Sequence, residues 1–242
     1  MTVSCKDDLP RDPTAFLQRL AAIVRAAIIE SDSIAFVYGS YAYSLTHDNS
    51  DVDLIVITDT LDVGSRSALI NSIVALHLEW GLPLDDEVPF NRKISATWED
   101  AERAITASFL PRRDGRLYVS PVVKTKEFLE SEEIRLRLLL NALTGRCIQL
   151  LGVSESMAEL QKRARKCWFE LLPQLVTLPP AWTISDFVDE LIGRPPLDGE
   201  MFLGFKSHPI IRNYLETVFT DEAQACMASG LLALDRGRYS YV

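Results

Sequence analysis

Two apolar runs, residues 34–38 and 54–57, constrain the fold of this chain more than any other feature, because of the polar residues that flank them. The first run ends in Gly-Ser, and an Asp-Val-Asp sequence leads into the second. We interpret both runs as strands. Side chains two positions apart on a strand project to the same side, so Asp51 and Asp53 are expected to share one face, with Val52 turned toward the core.

These residue types together predict a particular chemistry. Two neighbouring carboxylates, those of Asp51 and Asp53, repel each other unless a cation lies between them, and hard oxygen ligands suit Mg²⁺. Gly39 permits a tight turn, and Ser40 is expected to begin a short helix whose N–H groups can receive phosphate oxygens. The combination predicts metal-assisted chemistry on a nucleoside triphosphate.

The spacing of the two motifs is similar to that of a known enzyme superfamily. Gly39-Ser40, then ten residues, then Asp51-Val52-Asp53-Leu54 resembles the signature of the polymerase-beta-like nucleotidyltransferases. Within that superfamily the chain is closest in character to the aminoglycoside nucleotidyltransferases and the minimal nucleotidyltransferases. The resemblance is confined to about residues 30–95, and beyond them the chain matches by helical character alone.

The resemblance implies a reaction and roles for named residues. Asp51 and Asp53 would hold two Mg²⁺ ions, and Gly39, Ser40 and Ser50 would form the nucleotide-binding turn. The substrates would be an NTP, expected to be ATP, and a small-molecule acceptor such as an aminoglycoside or a biosynthetic intermediate. A hydroxyl of the acceptor would attack the α phosphorus, and pyrophosphate would leave.

The chain departs from the family pattern directly after the Gly-Ser turn. Many members continue with Arg-Gly, whereas Ala42 is followed here by Tyr43-Ser44. The missing arginine leaves the choice of nucleotide open. We interpret Tyr41 and Tyr43 as packing residues, with stacking on a base as the alternative.

A third carboxylate is expected from the next strand, over 87–94. Apolar residues occupy the even positions 82, 84, 88 and 90, with Asp86 as the exception, so Asp85 and Glu87 would share the opposite face. Glu87 is preferred, because Glu-Val-Pro-Phe resembles a Glu-Val-x-Phe sequence of some aminoglycoside enzymes. Glu87 would bind the acceptor-side metal ion or take the acceptor's proton. The alternative is a solvated acidic turn between a helix and a strand.

Composition and charge limit the classes of molecule that the protein is expected to bind. A formal net charge of −9 and a pI near 4.9 argue against nucleic acid, whose backbone requires clustered Lys and Arg. An acidic surface suits cationic small molecules instead. No apolar run reaches the length of a membrane span, and four widely spaced cysteines suit a reducing compartment. We therefore expect a cytoplasmic protein without a membrane partner; the resemblance leaves a homodimer open.

The strand and helix patterns predict an α/β (α+β) fold in two domains. Residues 1–118 would form a small mixed-sheet nucleotidyltransferase core, with helices on one face of the sheet and an open acidic face on the other. Residues 119–242 would form a mainly helical acceptor-binding domain. Residues 147–151 are interpreted as an edge strand that returns to the first domain, and 209–219 and 221–234 as two final helices.

Three other interpretations remain open. The first is a function like that of the minimal nucleotidyltransferases, as an antitoxin that transfers AMP to a protein. The chain is longer than most of those proteins, however. The second alternative is a non-catalytic descendant that only binds a nucleotide, although the retained acidic pair argues against it. The third is a Gly-Ser turn that merely precedes an acidic strand start.

Overall fold

The fold combines many helices with few short strands. A computed structural model of the chain describes residues 13–28, 32–46, 50–83, 95–113, 116–117, 125, 127, 131–192 and 208–242. The helices in these ranges are α1 (Pro13–Ala27), α2 (Gly39–Ala42), α3 (Val63–Trp80), α4 (Trp98–Ile105), α5 (Glu132–Thr144), α6 (Ser154–Leu175), α7 (Ile184–Ile192) and α8 (Pro209–Ala228). The strands are β1 (Ile34–Tyr38), β2 (Asp53–Ile57), β3 (Ser95–Ala96), β4 (Arg112–Arg113), β5 (Arg116–Leu117), β6 (Ile148–Leu151), β7 (Leu232–Asp235) and β8 (Arg238–Tyr241). This mixture confirms the predicted α+β class.

The central sheet is small and mixed. Its strand order is β3-β2-β1-β6. Strand β1 pairs antiparallel with both β2 and β6, whereas β2 and β3 run parallel. Strand β6 lies at the edge of this sheet, which confirms that residues 147–151 return to the first part of the chain.

Both faces of the sheet are covered, so the prediction of an open acidic face is wrong for the described residues. One face packs against α1 and α3 through Ala35, Val37, Leu54 and Val56. The other face joins a core formed with α4 to α8 through Ile34, Phe36, Ile55 and Ile57. The sequence carried a signal for this arrangement. Every residue of β1 is apolar, and an unbroken apolar run is typical of a strand that is buried on both sides.

Local capping signals set the ends of two helices near the sheet. The side chain of Asp62 accepts hydrogen bonds from the N–H groups of Gly64 and Ser65 at the start of α3. Gly81 ends α3 with φ +58°, in the left-handed region that glycine tolerates best. At the start of α4, Thr97 and Asp100 form the capping box that their spacing indicates.

The C-terminal segment differs from its prediction. Residues 209–228 form the single helix α8 rather than the first of two helices, and the chain ends in the hairpin of β7 and β8. The apolar face of α8 continues through Thr220-Asp221, where we placed a break, because Phe219 and Ala223 are both buried on it. Arg236 and Gly237 both have positive φ, as a two-residue hairpin turn requires.

The helical part of the chain shares a core with the sheet. Helices α5 to α8 pack in one hydrophobic cluster with a face of β1 and β2. The predicted domain boundary lies between residues 118 and 119, which are outside the described residues. The boundary therefore stays a prediction. Within the described ranges, no helix has the combined length and apolar character needed to cross a bilayer.

The capping box of α4 provides a stability test. The Thr97 hydroxyl accepts from the N–H of Asp100 at 3.0 Å, and the Asp100 carboxylate accepts from the N–H of Thr97 at 2.9 Å. We expect Thr97→Ala to lower the free energy of unfolding by about 1 kcal/mol, because it leaves a helix-terminal N–H without its acceptor. Urea unfolding measures the change.

Thr106→Ala is the matched control at the other end of α4. The Thr106 hydroxyl donates to the exposed carbonyl of Glu102, so its loss should cost less than about 0.5 kcal/mol. Equal losses in the two variants would contradict a specific role for the capping box.

Candidate active site

The Gly-Ser and Asp-x-Asp motifs meet where β1 ends and β2 begins. In the antiparallel register of these strands, Tyr38 pairs with Asp53. Asp53 is the first residue of β2 and is partly exposed, as is Asp51, which lies in the loop just before the strand. The strand thus starts two residues later than predicted. Val52 and Leu54 are buried against α1 and α3, which confirms that they face the core.

The backbone at Gly39 lies directly against the carboxylate of Asp53. Gly39 has φ +69°, a conformation that L-residues with side chains rarely adopt. A Cβ atom at this position would overlap Oδ2 of Asp53 and lie 3.2 Å from its Cγ. Glycine is therefore required both for the turn and for the close approach of the acid.

Ser40 and Ser50 adjoin this contact along the chain. Ser40 is the second residue of α2 and is partly exposed, whereas Ser50 is buried directly before Asp51. Helix α2 begins at Gly39, one residue before its predicted start at Ser40, and ends at Ala42. No side chain caps its start.

The charges of Asp51 and Asp53 both affect the pKa of Tyr38. Tyr38 is buried beside Asp53, and its pKa is raised well above the ordinary value, first by burial and then by the charges of Asp53 and Asp51. The pKa of Tyr41 is also raised, by burial and by Asp51. Asp51 therefore lies within electrostatic reach of both tyrosines, and both phenols stay neutral near neutral pH.

A buried histidine of α3, His77, also lies within electrostatic reach of Asp51. The Nδ1 atom of His77 lies 2.8 Å from the carbonyl oxygen of Ile73; a carbonyl only accepts, so Nδ1 carries the proton. The ring of Phe16 packs edge-on against the imidazole ring, with the ring centroids 5.5 Å apart. Burial lowers the pKa of His77, while the Ile73 carbonyl and the charge of Asp51 oppose that shift. The neutral imidazole is thus a buried packing group between α3 and α1.

The predicted third carboxylate cannot be placed. Asp85, Asp86 and Glu87 lie outside the described residues, together with the strand expected over 87–94. The next described strand, β3, does lie beside β2 and parallel to it. Within the described ranges, no three His, Cys, Asp or Glu side chains are grouped so as to hold a metal ion.

The donor set at this turn fits a hard cation. Asp51 and Asp53 are both partly exposed and offer only carboxylate oxygens, which Mg²⁺ prefers. The absent side chain at Gly39 leaves room for the Asp53 carboxylate at the turn. Remaining ligands would come from a bound phosphate, from water or from residues outside the described ranges.

Other charged residues of the helical half have structural partners. Glu132 forms a bidentate ion pair with Arg103, and Glu133 pairs with Arg137. His208 caps α8 by accepting from the N–H of Ile210 at 3.3 Å. These contacts give Glu132, Glu133 and His208 structural roles that require no substrate.

Sequence interpretation missed Tyr38 and His77. A signal for Tyr38 existed. Tyr38 lies two positions after Phe36, on the same face of β1, and directly precedes Gly39. Pairing of β1 with β2 therefore places Tyr38 opposite Asp53. The sequence held no comparable signal for His77. Its position depends on how α3 packs against α1, which is a tertiary property.

Comparison of the chain with protein-family models and with curated proteins finds no match.

The contact between Gly39 and Asp53 can be tested by a double-mutant cycle. We expect Gly39→Ala to destabilise the protein by at least about 1 kcal/mol more than Gly237→Ala, because overpacking adds to the strain of a positive φ. Gly237 is the matched control, since it has φ +77° and no atom within 4 Å of the added Cβ. Chemical denaturation gives the free energies of unfolding.

The same substitution in an Asp53→Ala background completes the cycle. Without Oδ2 and Cγ, the nearest remaining atom to the added Cβ is the Cβ of residue 53, at an ordinary contact distance of 3.5 Å, so the excess cost should disappear. If Gly39→Ala costs the same in both backgrounds, the carboxylate does not lie against this turn.

Proposed function

We propose that the protein is a Mg²⁺-dependent nucleotidyltransferase that moves an NMP group, with AMP as the expected one, from an NTP to a hydroxyl of a small molecule. The observation that carries the proposal is the contact of the Asp53 carboxylate with the backbone of Gly39, with Asp51 close by. This contact joins a turn suited to phosphate with an acidic pair suited to a metal ion. The motif spacing supports the same assignment.

The acidic pair would serve as the metal ligands. Bound Mg²⁺ would neutralise phosphate charge and lower the pKa of the acceptor hydroxyl. Asp51 and Asp53 would hold it through carboxylate oxygens. The buried, neutral phenol of Tyr38 would add no charge of its own beside Gly39.

The Gly39 turn would orient the triphosphate. The backbone N–H groups of α2 and the hydroxyl of Ser40 would receive phosphate oxygens, while Ser50 would support the approach to Asp51. The acceptor oxygen would form its bond to the α phosphorus as the bond to pyrophosphate breaks. Glu87 would bind the acceptor-side metal ion or take the acceptor's proton, as the sequence suggests. Most of the rate would come from positioning and electrostatics.

The acceptor class follows from charge. The net charge of −9 favours cationic molecules such as amino sugars over a polyanion. The helical half, which packs on the sheet through α5 to α8, is the part of the chain available to select the acceptor.

One experiment separates this proposal from its alternatives. The protein is incubated with Mg²⁺ and each NTP labelled in the α phosphate, with and without a panel of aminoglycosides and amino alcohols. A labelled small molecule supports the proposal. A labelled protein band indicates AMP transfer to a protein, and nucleotide binding without turnover indicates a non-catalytic descendant.

Replacement of either acid should remove activity without unfolding the protein. We expect Asp51→Asn and Asp53→Asn each to reduce transfer by at least about a hundredfold, because each removes a charged metal ligand. Thermal stability should hold or rise, since one charge of a repelling pair is lost. Calorimetric titration with an NTP should show Mg²⁺-dependent binding in the wild type and a clear weakening in both variants.

Asp235→Asn is the control for a lost surface charge. Asp235 is exposed in the β7–β8 hairpin opposite Arg238, and its replacement should leave transfer unchanged. Transfer within tenfold of the wild type in both active-site variants would exclude the metal-ligand role.

The third carboxylate can be identified by comparing three neighbouring substitutions. Glu87→Gln should reduce transfer far more than Asp85→Asn or Asp86→Asn, if the strand register is as the alternation indicates. A shift of the register by one residue would bring Asp86 to the catalytic face instead. Steady-state rates of all three variants decide the question, and the assignment is wrong if Asp86→Asn is the most damaging.

A further inference from the structure

The turn between α5 and β6 is held by side chains from several other elements. We call residues 144–147 the Gly145 turn. The backbone N–H of Arg146 donates to Oη of Tyr43 at 3.0 Å, and the carbonyl oxygen of Gly145 accepts from Nε2 of Gln161 at 2.9 Å. Tyr43 directly follows α2, and Gln161 lies on α6. The turn thus touches both the candidate active site and the helical half.

Tyr214, on α8, binds the same turn. Its hydroxyl donates to the Gly145 carbonyl at 3.3 Å and accepts from Nη2 of Arg165 at 2.8 Å. Its ring meets the ring of Tyr43 edge-on, with centroids 5.7 Å apart and an interplanar angle of 86°. Arg165 also donates from Nε to the carbonyl of Thr144 at 3.2 Å. The Gly145 turn therefore joins α2, α6 and α8.

Gly145 leaves space at this position for the Tyr43 phenol. Its φ of −80° is open to any residue, so backbone conformation does not require glycine here. A Cβ atom at Gly145 would lie 3.1 Å from Oη of Tyr43, which is tighter than nearly all real contacts. The absent side chain lets the phenol approach the turn closely enough to bond to Arg146.

The Tyr43 phenol is suited to a permanent contact. It is 3% exposed, and burial raises its pKa well above the ordinary value, although the N–H of Arg146 acts in the opposite direction. The hydroxyl therefore stays neutral near neutral pH, and its bond to the turn does not depend on titration.

The Gly145 turn and the strand after it flank α2 on both sides. Before α2, Val37 of β1 pairs with Ile148 of β6. After α2, Tyr43 accepts from Arg146. The position of α2 is thus fixed at both ends by one short segment that the helical half holds in place.

We propose that Tyr43 is a positioning residue, whose hydrogen bond to the Gly145 turn fixes α2, and with it Gly39 and Ser40, against Asp53. This inference rests on the proposed function, because it takes α2 to hold the triphosphate. It makes nucleotide binding depend on the helical half, although that half need not touch the nucleotide.

A double-mutant cycle on the phenol and the glycine tests the inference. The variants are Tyr43→Phe, Gly145→Ala and the double variant, and the probe is a non-hydrolysable ATP analogue with Mg²⁺, titrated by calorimetry. Each single variant should weaken binding about tenfold, because a small displacement of α2 misplaces the phosphate contacts. The double variant should bind no more weakly than either single one. Without the phenol oxygen, the nearest of the remaining atoms around the added Cβ is the carbonyl oxygen of Asn141, at 3.7 Å.

Tyr239→Phe is the matched control, since Tyr239 is a buried tyrosine of the C-terminal hairpin that packs on Trp182. It should leave the dissociation constant unchanged.

Melting temperatures show whether each variant is folded. If the role of Tyr43 is purely structural, Tyr43→Phe will lower the melting temperature without changing the affinity for the nucleotide. Affinities within threefold of the wild type in both single variants, or additive losses in the double variant, would overturn the inference alone. A wild type that does not bind the analogue with Mg²⁺ would overturn the proposed function together with it.

Discussion

The antiparallel register that pairs Tyr38 with Asp53 is the constraint on which the candidate site depends. Gly39 follows Tyr38 directly, so this pairing brings the backbone of the turn against the Asp53 carboxylate. A slip of one residue would turn Asp53 toward the core formed with α1 and α3, where an unpaired charge is costly. Burial of Leu54 and Val56 on that side therefore fixes the register. The same apolar contacts that stabilise the sheet therefore bring the Asp53 carboxylate against Gly39.

Features encoded within a few residues could be predicted from the sequence, and features that depend on distant packing could not. Strand β1 and the ends of α3 and α4 follow from an apolar run, from Gly81 and from the Thr97 capping box, all of which act locally. The uninterrupted helix α8 depends instead on Phe219 and Ala223, whose shared burial holds the helix through a sequence that resembles a cap. The covered second face of the sheet likewise depends on helices far along the chain.

The same division applies to the candidate site. Gly39, Asp51 and Asp53 could be proposed from the sequence because the Gly-Ser and Asp-x-Asp motifs stand at a fixed spacing, and the structure places Gly39 against Asp53. Tyr38 acquires its raised pKa from burial and from charges on the neighbouring strand, and no property of the residue alone indicates this. The hydrogen bond between Tyr43 and Arg146 is even harder to predict from the sequence. It joins residues 103 positions apart in the chain, and it uses the space left by Gly145. Glu87 stays a prediction from strand alternation.

The electrostatics of the turn favour a metal-binding pair over a pair of acid and base. A carboxyl that works as a general acid needs an apolar site to keep its proton, whereas Asp51 and Asp53 are both partly exposed. Both carboxylates raise the pKa of the Tyr38 phenol and so oppose its ionisation. A triphosphate would bring further negative charge to the same place, and it can remain there only if cations separate the two sets of oxygens. Nucleotide and metal would therefore bind together or not at all.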